Sequence, residues 1–352
     1  MFLQNWPSRV LVPLLATLGV LPVSNPGRNL PNLTFRWCSI PVLLSIMQLI
    51  APFVIYFDLT YNNSAEFIAE STAASKKILG YTLVTASGLV SGLVRLPSLC
   101  YCEETIFLLR GAIKVKNELR RAGICREKFN RTQRALLLFC GICIASFVCR
   151  YLFITIKSIY ANEKILHVFT TIPDSQIIRQ CVLHLTNLIV FTAPAYALSF
   201  VILVGIHLLK LNEDFLHLLS LYMEGAAENK EPKVTEEFRR MATTEASSIN
   251  AASHTLFRRP PYGQKLKNVQ EIFKGMKELF EMYQRLAGWY VLALVFLACA
   301  QLVHKLGRMV IIGNVESTVT VTNVGGSAEA ALIVCLVASF GEYYEDSVRS
   351  FS

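Results

Sequence analysis

Three ionisable side chains, Arg95, Arg150 and Glu329, lie inside stretches that are otherwise apolar. A charge at the centre of a bilayer costs about 2.5–3.5 kcal/mol on insertion scales, so such residues are rare unless paired or open to a wet cavity. Arg95 is expected near the cytoplasmic end of its stretch, where a long side chain can snorkel to lipid phosphates. Arg150 and Glu329 are expected at similar depths in the outer half of the membrane, either paired in a structural salt bridge or facing a water-filled outer cavity. Tyr81, Thr82, Tyr151, His184, Thr186, Asn187, Gln301 and His304 come at about the same depth. An apolar pocket between helices with a few polar groups is what small-molecule recognition requires. These ten residues form the candidate ligand-binding set.

Catalysis has no comparable footing. The sequence contains no G-x-x-x-x-G-K-[ST] phosphate loop and no G-x-G-x-x-G, H-E-x-x-H or G-x-S-x-G motif. The six histidines show no metal-ligand spacing on one helical face. Cys140 and Cys143 form a C-x-x-C with no second pair and no βαβ context, so neither zinc nor thioredoxin chemistry follows. Most of the ten cysteines fall in or beside apolar stretches, where they pack as small apolar residues. Neither an enzyme nor a cofactor is expected.

The elements that must hold these residues follow from composition. Of 352 residues, 53% are hydrophobic and 17% charged, too few charges for an ordinary soluble domain, where about 25% is usual. A helix needs roughly 20 apolar residues to cross a bilayer, because its backbone must be satisfied internally. Candidate spans are 37–57, 79–101, 135–156, 181–209, 286–304 and 324–341. The expected fold is all-α: a polytopic membrane helix bundle of six transmembrane helices.

Basic residues set the orientation, since cytoplasmic loops collect Lys and Arg near membrane ends. Counting only charges near span ends gives eighteen on the side of the N-terminus against seven on the other. The N-terminus is therefore expected in the cytoplasm. The net charge of +9 mostly reflects this bias, and no nucleic-acid partner is inferred from it. Of the sequons at Asn32, Asn62 and Asn130, only Asn62 lies on the expected outer side.

The chain divides into a cytoplasmic segment 1–36, with a short surface or re-entrant helix over 8–25; spans one to four over 37–209; a helical cytoplasmic loop over 210–285, mobile over 224–264; spans five and six over 286–341; and a cytoplasmic start of a further loop over 342–352. Residues 103–134 have helical composition and basic character, as an inward continuation of spans two and three. Val269, Phe273, Met276, Phe280, Tyr283 and Ala287 recur at spacings of three and four, forming one apolar stripe on a helix that runs into span five. That stripe packs on the 211–221 helix of the same subunit, or the two helices form an interface between subunits.

Two stretches resemble one family. Arg9-Val-Leu-Val-Pro13 followed by Leu18-Gly19-Val20-Leu21-Pro22 is similar to the segment before the first span of insect gustatory receptors. The helix from Val269 through Tyr283 into Ala287-Gly288-Trp289-Tyr290 is similar to the one leading into their fifth span. The resemblance implies a ligand-gated, non-selective cation channel in the plasma membrane. It would be a homo- or hetero-tetramer with other gustatory receptor subunits, and would detect a small-molecule tastant among the outer halves of spans two to six. It also implies that inner helix extensions meet between subunits, which favours Val269, Phe273, Met276, Phe280 and Tyr283 as interface residues. No nucleotide or metal is implied.

The family's Thr-Tyr, five hydrophobic residues, Gln-Phe motif of a seventh, pore-lining span has no match. The expectation is a chain truncated before that span and non-conducting as it stands. A six-span transporter and an accessory receptor subunit are the alternatives. A rhodopsin-type receptor would require the opposite orientation and the Asp-Arg-Tyr and Asn-Pro-x-x-Tyr motifs, which are absent.

Overall fold

The computed structural model describes residues 20–24, 32–62, 74–124, 129–160, 176–227, 262–312 and 317–349. Among the described residues the chain is helical, with no strand. Seven helices follow in order: α1 (Ile40–Asn62), α2 (Ala74–Cys100), α3 (Cys102–Arg121), α4 (Arg131–Tyr160), α5, α6 (Tyr262–Ile312) and α7 (Ser317–Arg349). Helix α5 runs as Gln176–Ser199, passes through a π-helical turn at Phe200–Val204 and continues as Gly205–Ala227. Four segments are long and apolar enough to cross a membrane: Arg131–Cys149, Leu188–Leu221, Val269–Gly307 and Gly326–Arg349. Shorter apolar segments are Ile40–Ala51 and Gly88–Cys100.

Helix α6 has 51 residues. At 1.5 Å per residue this is about 75 Å, more than twice a typical hydrocarbon core of about 30 Å. Its first turns must therefore find partners outside an apolar layer, and α3 supplies one. Thr105, Leu108, Ala112, Val115 and Leu119 recur every three or four residues on the buried face of α3. Glycines let the two backbones close: a Cβ at Gly111 would lie 2.6 Å from Leu279, and one at Gly275 would lie 3.5 Å from Val115. Helix α3 has Glu103 and Glu104 in its first turn and Arg120 and Arg121 in its last, which complements the helix dipole. It stops at Gly123, whose φ of 84° is the left-handed conformation of a helix C-terminus. Gly123 N–H donates to Arg120 O at 3.0 Å, and Ile124 N–H donates to Leu119 O at 3.0 Å.

The apolar stripe of α6 is covered within the chain. Met276, Phe280, Tyr283 and Ala287 are buried and Val269 half-buried, while Phe273 remains exposed. Phe273 and Phe215 lie 6.2 Å apart between ring centres, and Phe280 and Tyr283 lie 5.9 and 5.6 Å from Tyr344. The cover thus comes from the 205–227 part of α5, the same-subunit alternative, and also from α3 and the end of α7.

Leu21, Val23 and Leu33 pack with Cys102 and Ile106 of α3 in a small separate core. This seats the Val20-Leu21-Pro22 end of the N-terminal motif on the bundle. The expected helix over 8–25 falls mainly outside the described residues, as does most of the stretch 224–264. Sequence reading placed residues 103–134 in a helical region, and the structure divides it: Tyr101 separates α2 from α3, and α4 starts afresh at Arg131. Asn130 and Gln133 form a reciprocal cap there, Gln133 N–H donating to Asn130 Oδ1 at 2.8 Å and Asn130 N–H to Gln133 Oε1 at 3.1 Å.

Candidate functional site

Gln301, His304 and Glu329 are buried where the end of α6 and the start of α7 lie side by side. The pairing of the two helices is fixed at Gly326, where a Cβ would come within 2.7 Å of Lys305 Cε. Glu329 also lies within electrostatic reach of the Cys143 thiol on α4, so three helices meet around the carboxylate. The Gln301 Oε1 atom is buried with no hydrogen-bond partner. Such an atom costs about 1–3 kcal/mol of lost hydration unless a partner arrives.

The other members of the expected ligand-binding set lie on α2, α4 and α5. Tyr151 is half-buried on α4. Tyr81 and Thr82 lie on α2, Arg150 on α4, and His184, Thr186 and Asn187 on α5, but their side chains lie outside the described residues. The expected contact between Arg150 and Glu329 falls outside them too.

Arg95 requires a correction. It was expected to snorkel to lipid phosphates, yet it is wholly buried. Its guanidinium donates to Ser91 Oγ at 2.8 Å and to Thr192 Oγ1 at 3.2 Å, so it points into the bundle between α2 and α5. The cause is its position on the face of α2 that also carries Ser91 and Ser98, at spacings of four and three residues. That spacing is the sequence signal that could have revealed a polar seam.

One turn further along the seam, Ser98 Oγ donates to Val94 O at 2.7 Å and shares a 2.9 Å hydrogen bond with Tyr290 Oη of α6. The Tyr196 hydroxyl of α5 interacts with both Ser98 and Tyr290. Ring packing continues the contact: Tyr196 and Tyr290 meet edge to face with centres 5.7 Å apart, and Phe200 and Tyr290 at 4.9 Å. Three helices are therefore tied by a buried chain of polar groups that requires one mutual arrangement.

A second polar joint gathers on α4, α5 and α7. Glu213 Oε1 accepts hydrogen bonds from Asn130 Nδ2 and Gln133 Nε2, both at 2.9 Å, and from Tyr343 Oη at 3.2 Å. Lys210 Nζ lies 3.4 Å from both Glu213 and Asp214. This joins the start of α4, the 205–227 part of α5 and the end of α7.

Among the described residues no group of three or more His, Cys, Asp or Glu side chains could hold a metal. The eight described cysteines are unbridged, and Cys140 and Cys143 are buried. The arrangement thus sets one polar cluster where α6 ends and α7 begins and a second one near the end of α7. Comparison with protein-family models and with curated proteins finds no match.

Proposed function

We propose that this chain is a chemosensory receptor subunit of the insect gustatory type: a multi-pass plasma-membrane protein whose six apolar segments cross the bilayer, with its N-terminus in the cytoplasm. In this reading a small tastant enters among the outer halves of the helices, near Glu329, Gln301 and His304, and controls a non-selective cation conductance in a tetramer with like subunits. The observation that carries the reading is the continuity of α5, α6 and α7. Each runs from an apolar span into a packed polar region, so a displacement around an outer ligand reaches the inner joint at Glu213 without crossing a loop.

The test is electrical. The chain is expressed in cells without native receptors, alone and together with other gustatory receptor subunits, and currents are recorded across a panel of sugars, bitter compounds and dissolved carbon dioxide. The expected result is a tastant-evoked cation current in at least one combination, weakened at least tenfold in sensitivity by Glu329→Gln. Solute uptake with no evoked current would replace this reading with a transporter. Current that appears only on co-expression and is indifferent to Glu329→Gln would leave an accessory subunit.

A further inference from the structure

The π turn of α5 sits where the polar seam ends and the inner helix bundle begins. A π turn inserts one extra residue into an α-helix, so its two flanks are out of register with each other. Here the turn is held by neighbours on two other helices. Tyr283 Oη of α6 donates to the carbonyl of Val201 at 2.6 Å. The Gly205 amide is shared between the carbonyls of Ile202 and Val201, a three-centre pattern intermediate between tighter and looser turns. Gly205 has no room for a side chain: a Cβ would stand 2.3 Å from Phe340 Cζ of α7 and 2.5 Å from Tyr283 Oη. The ring of Phe200, inside the turn, stacks near Tyr283 with centres 6.3 Å apart.

We infer that this turn is a two-position joint, latched in its π form by the Tyr283 hydroxyl. Released, it relaxes to continuous α-helix. One residue of register is then taken up by turning the flank that bears Thr192 and Tyr196 by about 100°, or advancing it by about 1.5 Å, relative to the flank that bears Lys210, Asn212 and Asp214. Packed cores accommodate such a change as a jump between two arrangements, since they do not deform continuously. The latch belongs to α6 and the steric stop to α7, so the joint responds to any shift of those helices against α5. Its outer flank carries the Arg95 contact through Thr192, and its inner flank carries the Glu213 joint. The inference rests on this geometry and holds for a receptor or a transporter alike.

The test uses the full chain in lipid nanodiscs. Leu203, an exposed member of the turn, is replaced by cysteine in a background whose exposed cysteines are serine, and is labelled with a trifluoromethyl probe for fluorine NMR. The expected spectrum has one dominant resonance and a minor one in exchange. Tyr283→Phe removes one hydroxyl and is expected to raise the minor population about two- to tenfold, the range that corresponds to one net hydrogen bond. A single unlabelled-register variant, deletion of Leu203, is expected to remain folded and monodisperse as an α-continuous form. Identical spectra with and without the Tyr283 hydroxyl would overturn the inference. So would failure of either the Tyr283→Phe or the deletion variant to fold, since the π turn would then be a fixed structural joint.

Discussion

Ser98 on α2 and Tyr290 on α6 share a buried hydrogen bond of 2.9 Å, although 192 residues separate them in the chain. The two partners are not equivalent. Ser98 Oγ also donates to Val94 O, so Tyr290→Phe leaves the serine satisfied and should cost about 0.5–1.5 kcal/mol, the net worth of one hydrogen bond. Ser98→Ala instead strips a direct partner from a buried phenol, and should cost about 1–3 kcal/mol. Thermal unfolding of the two single variants and the double variant checks this. A coupling energy near zero in the double-mutant cycle would mean that the pair is not formed.

Arg95 gives a sharper contrast between two placements. A snorkelling arginine would tolerate lysine with almost no change. A buried guanidinium that spans Ser91 and Thr192 uses a fork that a lysine ammonium cannot reproduce. Arg95→Lys is therefore expected to lose one charge-assisted bond, about 1.5–3 kcal/mol. The same thermal unfolding assay, with Arg95→Lys indistinguishable from wild type, would restore the snorkelling placement.

The helices were legible because their signals are local and repetitive. The six apolar stretches overlap α1, α2, α4, α5, α6 and α7, four of which hold segments long and apolar enough to cross a membrane, and the stripe from Val269 to Ala287 needed only a count of spacings to be seen. The continuity of α6 could be read because no Pro or Gly pair interrupts residues 264–312. The surroundings of Arg95 were not legible in the same way. Hydropathy treats each charge alone, whereas the fate of this one depends on Thr192, a residue 97 positions away. The π turn was equally hidden, because Phe200-Val-Ile-Leu-Val204 is as apolar and β-branched as any neighbouring stretch. Only Tyr283, Gly205 and Phe340 together set its form. The cap at Asn130 is written in the sequence as Asn-x-x-Gln, overlapping the Asn-x-Thr glycosylation triplet at the same residue.

Glu213 should behave as the hub of the joint between α4, α5 and α7. Glu213→Ala removes the acceptor shared by Asn130, Gln133 and Tyr343, and leaves the buried Gln133 amide with Tyr343 Oη as its acceptor. The carboxylate is over a third exposed, so solvent screens part of its effect. A loss of about 1–2 kcal/mol is expected, smaller than three full bonds to a charged group would imply. Tyr343→Phe alone should cost less, but Tyr343 Oη also accepts from Asn130 Nδ2 at 2.9 Å and Gln133 Nε2 at 3.1 Å, so adding it to Glu213→Ala removes their remaining acceptor and should cost more than it does alone. Additive losses by thermal unfolding would show that Glu213 and Tyr343 act separately.

Cys102 supplies the pH dependence. Its thiol is fully buried between the N-terminal segment and α3, with Sγ 3.7 Å from the carbonyl of Pro22. Burial, aided by the negative charge of Glu103, pushes the thiol up to about 12. At pH 8 its thiolate fraction is then about one in ten thousand, and maleimide labelling of native protein should leave Cys102 unmodified until the chain unfolds. The sign for stability follows from proton binding. An unfolded cysteine loses its proton near about pH 8.5, whereas folded Cys102 keeps it to about pH 12, so the folded state holds the extra proton across that window. Stability present below about pH 8.5 should therefore fall as pH rises toward 12, by up to about 1.4 kcal/mol per unit from this group. Cys102→Ala lowers stability at neutral pH through lost packing, yet should flatten the alkaline slope. Parallel slopes for the two proteins in unfolding titrations from pH 7 to 11 would assign the alkaline loss to other groups.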